Sequence, residues 1–256
     1  MTPLVSIEIP SSDALFARLS PVSHEHATHV LGRDAIHRLE LRRVEDPIGR
    51  GIRVDLAAIG VGSANALRRQ PLLRAIGDAV QVVDATAGLL ADAWLIAASG
   101  RRVVAVERDP IVHALALDGL IRAARDASLE AIAARIELHA ADAVDMLAAK
   151  DARALCAVPT AILLDPMFPP KRKKSALPPK EMQILKELLG EQSDESRLES
   201  ERTLLRFAQA CDAIRVVVKR PEYAGDFAGV RPSWSLHGRL VRFDVYARHP
   251  EGASHG

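Results

Sequence analysis

Short apolar segments rich in β-branched residues alternate with segments of helical spacing over most of the chain. Strands are predicted at 79–83, 102–106, 136–139, 161–164 and 214–218. Helices are predicted at 89–98, 110–124, 142–149, 180–189 and 195–210. Strands that alternate with helices of about ten residues or more form βαβ units, whose strands run parallel. The alternation therefore predicts an α/β fold built on a mostly parallel sheet.

The two ends of the chain depart from this alternation. Residues 233–236 and 240–246 are strand-like and are separated by His237, Gly238 and Arg239, which is typical of a β-hairpin. The hairpin brings the predicted sheet to seven strands and closes it with antiparallel pairing. Residues 1–78 are less regular, with a strand predicted at 52–58 and a short helix at 72–76. We interpret 1–78 as a small N-terminal subdomain and 79–256 as the main domain.

Composition and length exclude several classes of protein. The chain has 256 residues, of which 48% are hydrophobic and 26% charged, as in a globular protein that buries a core. Cys156 and Cys211 form no CxxC pair, which excludes a disulfide framework and a cysteine zinc site. No acid or cysteine completes a metal site around His24, His26 and His29, so we expect a polar loop and no metal there.

The N terminus and the net charge limit the expected partners. The first residues carry neither the basic nor the apolar segment of a secretory signal, and no apolar run approaches the ~18 residues of a membrane span. We therefore expect a cytoplasmic protein without a membrane partner. The net charge of +1 argues against a protein that wraps a long nucleic acid. Two Trp, two Tyr and five Phe are too few for a broad base-stacking surface.

Three of the predicted strands end in an acid: Asp84, Glu107 and Asp165. Ligands of open α/β sheets bind at the carboxyl ends of the strands, so these acids are candidate cofactor-binding residues. Gly88, in the segment DATAGLLAD, allows a tight turn, but the GxGxxG motif that cradles a pyrophosphate is absent. A carboxylate such as Glu107 can accept both hydroxyls of a ribose, so the pattern favours a nucleoside cofactor without a diphosphate, S-adenosylmethionine. Taken alone, it also fits a simple turn at Gly88 and a solvated acid at Glu107.

Candidate catalytic residues follow the fourth strand, where Asp165, Pro166 and Phe168 stand in the segment DPMF. The segment is similar to the D/N-P-P-Y/F motif of amino-methyltransferases. The lone pair of an exocyclic base amine is delocalised into the ring, which makes the nitrogen a poor nucleophile. If Asp165 and the Pro166 carbonyl accept the amine hydrogens, the lone pair can point towards an activated methyl group while Phe168 stacks on the base. Such a site needs no metal. The alternative is a rigid proline loop with Phe168 in the core.

A basic run follows this motif and is the candidate contact for RNA phosphates: Lys171, Arg172, Lys173 and Lys174. With Lys180, residues 166–180 carry five cations and no acid, and removing these five from the net charge of +1 leaves −4 for the rest. Lys219 and Arg220 end the fifth strand at the same edge and are further candidates, whereas Arg68 and Arg69 are weaker ones. The alternative for each is a solvated surface charge.

Four segments, taken in order, strongly resemble the bacterial 16S ribosomal RNA guanine-N2 methyltransferase J family: VVDATAGLLADAWLIA, AVERDPIV, LLDPMFPPKRKKSALPPKEM and VVVKRPEYA. The resemblance extends from about residue 52 to residue 246. It implies a Rossmann-like class I methyltransferase fold, S-adenosylmethionine as cofactor, and methylation of the N2 amine of one guanine in 16S rRNA, either free or in the small ribosomal subunit. By position it implies cofactor contacts at Ala91, Asp92, Glu107, Arg108, Ala141, Asp142 and Asp165. Gly88 and Asp92 are expected at the amino-acid end of the cofactor and Asp142 at the adenine.

The chain departs from the family pattern at the first turn. Leu90 stands where the family usually has glycine and Ala91 where it has arginine, so only a backbone contact is expected at Ala91. An amine motif does not specify the base, which leaves open an N6-adenine or other amino-methyltransferase. A nonenzymatic RNA-binding or ribosome assembly factor on the same fold is a second alternative, because Leu90 could weaken cofactor binding. The missing GxGxxG disfavours a nicotinamide dehydrogenase, and the oligomeric state is left open.

Overall fold

The computed structural model describes residues 5–8, 27–150, 152–166, 180–190 and 193–248. Within these ranges the strands are β1 (Val5–Ile7), β2 (His29–Arg33), β3 (Leu39–Arg43), β4 (Gln81–Asp84), β5 (Arg102–Glu107), β6 (Ile136–Ala140), β7 (Thr160–Leu164), β8 (Arg215–Pro221), β9 (Trp234–His237) and β10 (Val241–Ala247). The helices are α1 (Ala64–Arg68), α2 (Pro71–Ile76), α3 (Ala91–Ala98), α4 (Pro110–Ala124), α5 (Glu130–Ala133), α6 (Ala143–Ala148), α7 (Lys180–Leu189) and α8 (Asp194–Ala210). Short 3-10 turns lie at Leu56–Ala58, Ala152–Cys156 and Phe227–Gly229.

The main sheet has seven strands in the order β6-β5-β4-β7-β8-β10-β9. The pairs β6–β5, β5–β4, β4–β7 and β7–β8 are parallel. Strand β10 runs antiparallel to both β8 and β9. This arrangement confirms the predicted α/β fold with a mostly parallel seven-stranded sheet and a C-terminal antiparallel hairpin.

Side chains on the central strands alternate between two hydrophobic layers, because successive residues of a strand point to opposite faces. Val82 of β4 and Leu163 of β7 belong to the layer that contains Trp94 of α3. Val83 and Ile162 belong to the other layer, on the side of α6 and α8. Helices therefore cover both faces, as a parallel sheet requires.

Local capping fixes the starts of the helices that border the carboxyl edge of the sheet. The Asp109 carboxylate accepts hydrogen bonds from the Ile111 and Val112 amides at 2.9 and 3.0 Å, and Pro110 occupies the first position of α4. The Asp142 carboxylate caps α6 in the same way, accepting from the Val144 amide at 2.8 Å. Helix α4 begins at Pro110, as predicted, whereas α6 begins at Ala143, one residue after the predicted start, because Asp142 is its cap.

The N-terminal residues form a second, three-stranded sheet in the order β1-β2-β3. The prediction of a strand at 52–58 is wrong, because Ile52 forms only an isolated bridge to Leu41 and Leu56–Ala58 is a 3-10 turn. Pairing with β3 stops after Ile52, and the next carbonyl in this segment to be bonded, that of Val54, accepts a hydrogen bond from the Arg122 side chain of α4. The helix predicted at 72–76 is confirmed as α2.

The small sheet packs against the main domain. Leu31, Leu39 and Leu41 lie in the same hydrophobic layer as Trp94 and Leu115. Across the boundary, Asp118 of α4 accepts hydrogen bonds from the Arg33 guanidinium at 2.9 Å and the Leu39 amide at 3.2 Å. The division into two domains at residue 78 stays a prediction. In the part of the chain that the structure describes, no helix is both long and apolar enough to span a membrane.

Candidate active site

The site lies where the chain reverses the direction in which it adds strands. The chain goes from β4 outwards to β5 and β6, and then returns to the other side of β4 with β7. In open α/β sheets the ligand crevice is expected at such a switch point, which here lies between β4 and β7. Asp84 ends β4 and Asp165 follows β7. The Asp165 amide donates to the Thr86 hydroxyl at 2.6 Å, which ties the two loops together.

An ion cluster joins three elements at this crevice. The Lys219 ammonium of β8 lies 2.7 Å from a carboxylate oxygen of Asp92 and 2.9 Å from one of Asp165. Asp92 stands in the first turn of α3. The Lys219 side chain is only 23% exposed, so the interaction is partly shielded from water. The structure thus brings the predicted residues Asp92 and Asp165 together through a lysine that the sequence placed among the candidate RNA contacts.

Burial and like charges perturb the acids of the cluster. Asp84 is 2% exposed, and burial together with the nearby Asp92 carboxylate raises its pKa to about 8. Burial also raises the pKa of Asp165, while Lys219 opposes the rise. For Lys219, burial alone would lower the pKa, but the charges of Asp165 and Asp92 raise it above its ordinary value. At neutral pH Asp84 is therefore mostly protonated, and it lies close to the ion cluster that Lys219 forms with Asp92 and Asp165.

The turn between β4 and α3 is bonded to the end of β5. The two carboxylate oxygens of Glu107 accept hydrogen bonds from the Gly88 amide at 3.0 Å and the Asp109 amide at 2.7 Å. Each oxygen has a second lone pair, so the carboxylate can also accept ribose hydroxyls. Burial raises the pKa of Glu107. Gly88 has φ +51°, a left-handed conformation that explains glycine at this position.

Leu90 adopts a left-handed conformation, with φ +66°, immediately before α3. This conformation costs a non-glycine residue about 1–2 kcal/mol, which explains why a glycine suits this turn. Its side chain is fully buried in the hydrophobic layer beside Trp94, and that burial offsets the strain. Ala91 begins α3 and is exposed, so no bulky side chain covers the start of this helix.

An open cleft of about 630 Å³ lies beyond Glu107, at the ends of β5 and β6. It brings together three residues expected to contact the cofactor, Arg108, Ala141 and Asp142, and adds Pro110, His113, Leu138, His139 and Ala140. Arg108 and Asp142 face each other across 3.5 Å. The sequence did not identify these five added residues as lining a cofactor site. Only His139 could have been expected there, because it ends a predicted strand.

The structure separates the candidate RNA contacts. Phe168 and the basic run lie outside the described residues, as do His24 and His26. Arg220 is buried and donates to the Glu201 carboxylate at 3.2 Å and the Gly225 carbonyl at 2.8 Å, so its side chain does not belong to a phosphate-binding surface. Lys180 lies 3.1 Å from the Asp46 carboxylate.

Arg68 and Arg69, the weaker RNA candidates, lie exposed at the end of α1. His29 lies 3.2 Å from the Glu187 carboxylate. In the described ranges, no three His, Cys, Asp or Glu side chains are grouped as metal ligands.

Comparisons with known proteins bear on the family and the fold of the chain. Residues 16–248 match the family described as putative SAM-dependent methyltransferase. The chain is 38% identical over 250 residues to ribosomal RNA small subunit methyltransferase J of Vibrio vulnificus, covering 93% of each protein. It is 42% identical over 202 residues to the protein of that name from Thioalkalivibrio sulfidiphilus, covering 76% of this chain and 75% of the relative. The crystal structure of a SAM-dependent methyltransferase from Neisseria gonorrhoeae superimposes with a TM-score of 0.69 at 31% identity, covering 98% of this chain and 97% of the other.

Proposed function

Because the chain belongs to the ribosomal RNA small subunit methyltransferase J family of S-adenosylmethionine-dependent methyltransferases, we propose that it methylates the exocyclic N2 amine of one guanine in 16S rRNA. The observation that carries the proposal is the position of Asp165. It follows β7 at the switch point. Its backbone amide donates to the Thr86 hydroxyl, and its carboxylate accepts from the Lys219 ammonium. A carboxylate held in this way is ready to bind an amine at the crevice. Such an enzyme acts in the cytoplasm, where bacterial rRNA is made.

The charges of the crevice fit the cofactor. S-adenosylmethionine carries a sulfonium cation, an ammonium cation and a carboxylate, so its net charge is +1. The proposed site contains three acids, Asp92, Asp165 and Glu107, and one lysine, Lys219. The buried Asp84 adds a further negative charge when it loses its proton. Opposite charges at short range in a partly buried site attract strongly. When bound, the cofactor supplies an activated methyl group.

Each part of the cofactor has a proposed partner. Glu107 accepts the ribose hydroxyls with the lone pairs that its two backbone bonds leave available. Gly88, the Ala91 backbone and Asp92 hold the amino-acid end at the start of α3, above the buried Asp84. The cleft at the ends of β5 and β6 takes the adenine, with Arg108, Ala141 and Asp142 at its wall.

Asp165 and the Pro166 carbonyl bind the target amine in this proposal. An ionised carboxylate only accepts hydrogen bonds, so it suits the two amine hydrogens and also the proton that the nitrogen loses on methylation. Burial alone would keep Asp165 protonated at a higher pH, and the Lys219 ammonium opposes this. We therefore assign Lys219 to the ionisation of Asp165 and not to RNA phosphates. Phe168 remains the proposed stacking ring.

The substrate amine lies on a base edge that takes part in pairing. The guanine must therefore be unpaired or flipped out of a helix to reach Asp165. Phosphate contacts near the crevice are assigned to the basic run Lys171, Arg172, Lys173 and Lys174. Free rRNA and the small ribosomal subunit are both candidate substrates.

The proposal is tested by mass mapping of the nucleosides in rRNA from a strain that lacks this protein. The methylated guanine should be missing there and should appear when the protein is added back. Asp165→Ala should lower the methylation rate about a hundredfold or more and retain cofactor binding within about tenfold. Asp212→Ala is the matched control, because Asp212 is a partly exposed acid at the opposite edge, paired with Arg248 at 3.1 Å. Wild-type turnover by the Asp165 variant would contradict the assigned role. Methylation of adenine would favour the amino-methyltransferase alternative, and absence of cofactor binding in calorimetry would favour the nonenzymatic one.

A further inference from the structure

The loop that follows β8 is held in place by two buried arginines. Arg242 donates to the Glu222 carbonyl at 3.2 Å, the Ala224 carbonyl at 2.8 Å and the Gly225 carbonyl at 3.2 Å. Arg220 donates to the same Gly225 carbonyl at 2.8 Å. The backbone of this surface loop is therefore bonded to the protein interior along its length.

Both guanidinium groups are themselves fixed by buried carboxylates. Arg242 forms two hydrogen bonds to Asp244, at 2.9 and 3.1 Å, and Asp244 is fully buried. Arg220 donates to the buried Glu201 at 3.2 Å. Charge-assisted bonds of this kind are short and directional, and in a buried setting they are hard to break. The loop is consequently rigid before any substrate arrives.

An aromatic side chain projects from this loop at the edge of the sheet that carries the active site. Tyr223 stands in a turn closed by a hydrogen bond from the Ala224 amide to the Pro221 carbonyl at 3.0 Å. It comes four residues after Lys219, at the carboxyl end of β8. Its side chain is 52% exposed. A half-exposed ring at the edge of the sheet to which Lys219 and Asp165 belong has the chemistry of a base-stacking residue.

Other aromatic residues do not share this position. Among the Phe, Tyr and Trp residues that the structure describes, Tyr223 and Trp234 are the exposed ones. Trp234 is 40% exposed, but it pairs with Val245 and lies over the Arg215 guanidinium, at the opposite end of β8. Trp234 therefore provides a matched control, since it has similar exposure at the wrong edge.

We propose that Tyr223 is a substrate-contact residue whose ring stacks on an unpaired rRNA base next to the target guanine. The inference rests on the proposed function, because it takes RNA as the substrate. Stacking of a base on an aromatic ring strengthens binding about five- to hundredfold, equivalent to about 1–3 kcal/mol. A ring on a rigid loop loses little conformational freedom on binding, which preserves most of this gain.

The test measures the Kd for 16S rRNA and its dependence on salt, using the full chain. Tyr223→Ala should raise the Kd about tenfold and leave the slope of log Kd against log salt unchanged, because stacking releases no counterions. Tyr223→Phe should bind as the wild type does, since it keeps the ring. Trp234→Ala should also bind normally, and the Kd for S-adenosylmethionine should be the same in all variants.

Three outcomes would overturn the proposal. They are an unchanged Kd in Tyr223→Ala, a changed salt slope, and a loss seen with the small ribosomal subunit but not with bare rRNA, which would indicate a protein contact. The failure of the proposed function is distinguishable, because it appears in the wild type as absent methylation. Binding of rRNA is measured without turnover, so it tests Tyr223 in either case.

Discussion

The buried Asp84 should make both folding and cofactor binding depend on pH. Its pKa rises from 3.8 to about 8 in the folded protein, chiefly through burial. At pH 7 about nine-tenths of the molecules would then carry a protonated Asp84. Asp84→Asn mimics this neutral form and keeps an oxygen for the Thr86 amide, 3.4 Å away. The substitution therefore removes the titration with little change in shape.

The sign follows from comparing the folded and unfolded chains. Between about pH 4 and about pH 8 the unfolded chain has lost the Asp84 proton while the folded protein still holds it. The free energy of unfolding of the wild type therefore falls as pH rises through this window, by about 1.4 kcal/mol for each pH unit. Asp84→Asn lacks this contribution. Its stability advantage over the wild type should grow by about 4 kcal/mol, as an upper value, between pH 5 and pH 8.

Denaturant unfolding of the cofactor-free protein at several pH values measures this difference. Asp212→Asn, at a partly exposed acid of the opposite edge, serves as the control. If the wild type and Asp84→Asn show the same pH dependence, then Asp84 is ionised in the folded protein and the reasoning is wrong.

Cofactor binding provides a second readout of the same group. A cation bound above Asp84 favours its ionised form, so binding at pH 7 should release up to about 0.9 proton. Calorimetry in buffers with different ionisation enthalpies measures the released proton directly. Asp84→Asn should abolish the release, and a wild type that releases none would refute the coupling.

Three further predictions concern single side chains. Lys219→Met removes the charge that opposes protonation of Asp165, so the acid limb of the pH–kcat profile should move to higher pH. Lys219→Arg should leave the limb in place, and an unmoved limb in the Met variant would contradict the assignment. Leu90→Gly should be about 1 kcal/mol more stable than Leu90→Ala in denaturant unfolding, because only alanine keeps the left-handed strain, and the reverse order would disprove that strain. Gly119→Ala should lower the free energy of unfolding by about 1–3 kcal/mol, because the added methyl overlaps Val54. Adding Val54→Ala to the same chain should recover part of that loss, and purely additive effects of the two substitutions would count against this contact.

The main sheet was predictable because its signals are local. Strands of apolar β-branched residues and helices with their caps depend on residues close in sequence, as at Asp109 and Asp142. Parallel strands bring their carboxyl ends to one edge, so Asp84, Glu107 and Asp165 could be expected to lie near each other. The family resemblance and the DPMF segment then indicated what these acids could bind.

The N-terminal sheet was missed because its strands are rich in polar residues. Glu40 and Arg42 of β3 are buried, which conceals the usual alternation of apolar and polar residues. Their partners come from elsewhere: the Glu40 carboxylate accepts from the Gly49 and Gly51 amides at 2.7 and 3.1 Å. A buried ion is stable only when such partners are present, and local sequence does not reveal them.

For the main sheet, the sequence by itself determined the order of strands and helices along the chain and the acids at the strand ends, since both depend on periodicity and on neighbouring residues. Only the tertiary structure decided what the charges do. Lys219 and Arg220 are adjacent, yet one faces the crevice acids and the other the buried Glu201, because neighbouring residues of a strand point to opposite faces. Lys219 meets Asp92 across 127 positions of sequence, and burial sets the protonation of Asp84. Electrostatic interactions depend on distance and desolvation in the folded molecule, and only folding sets these.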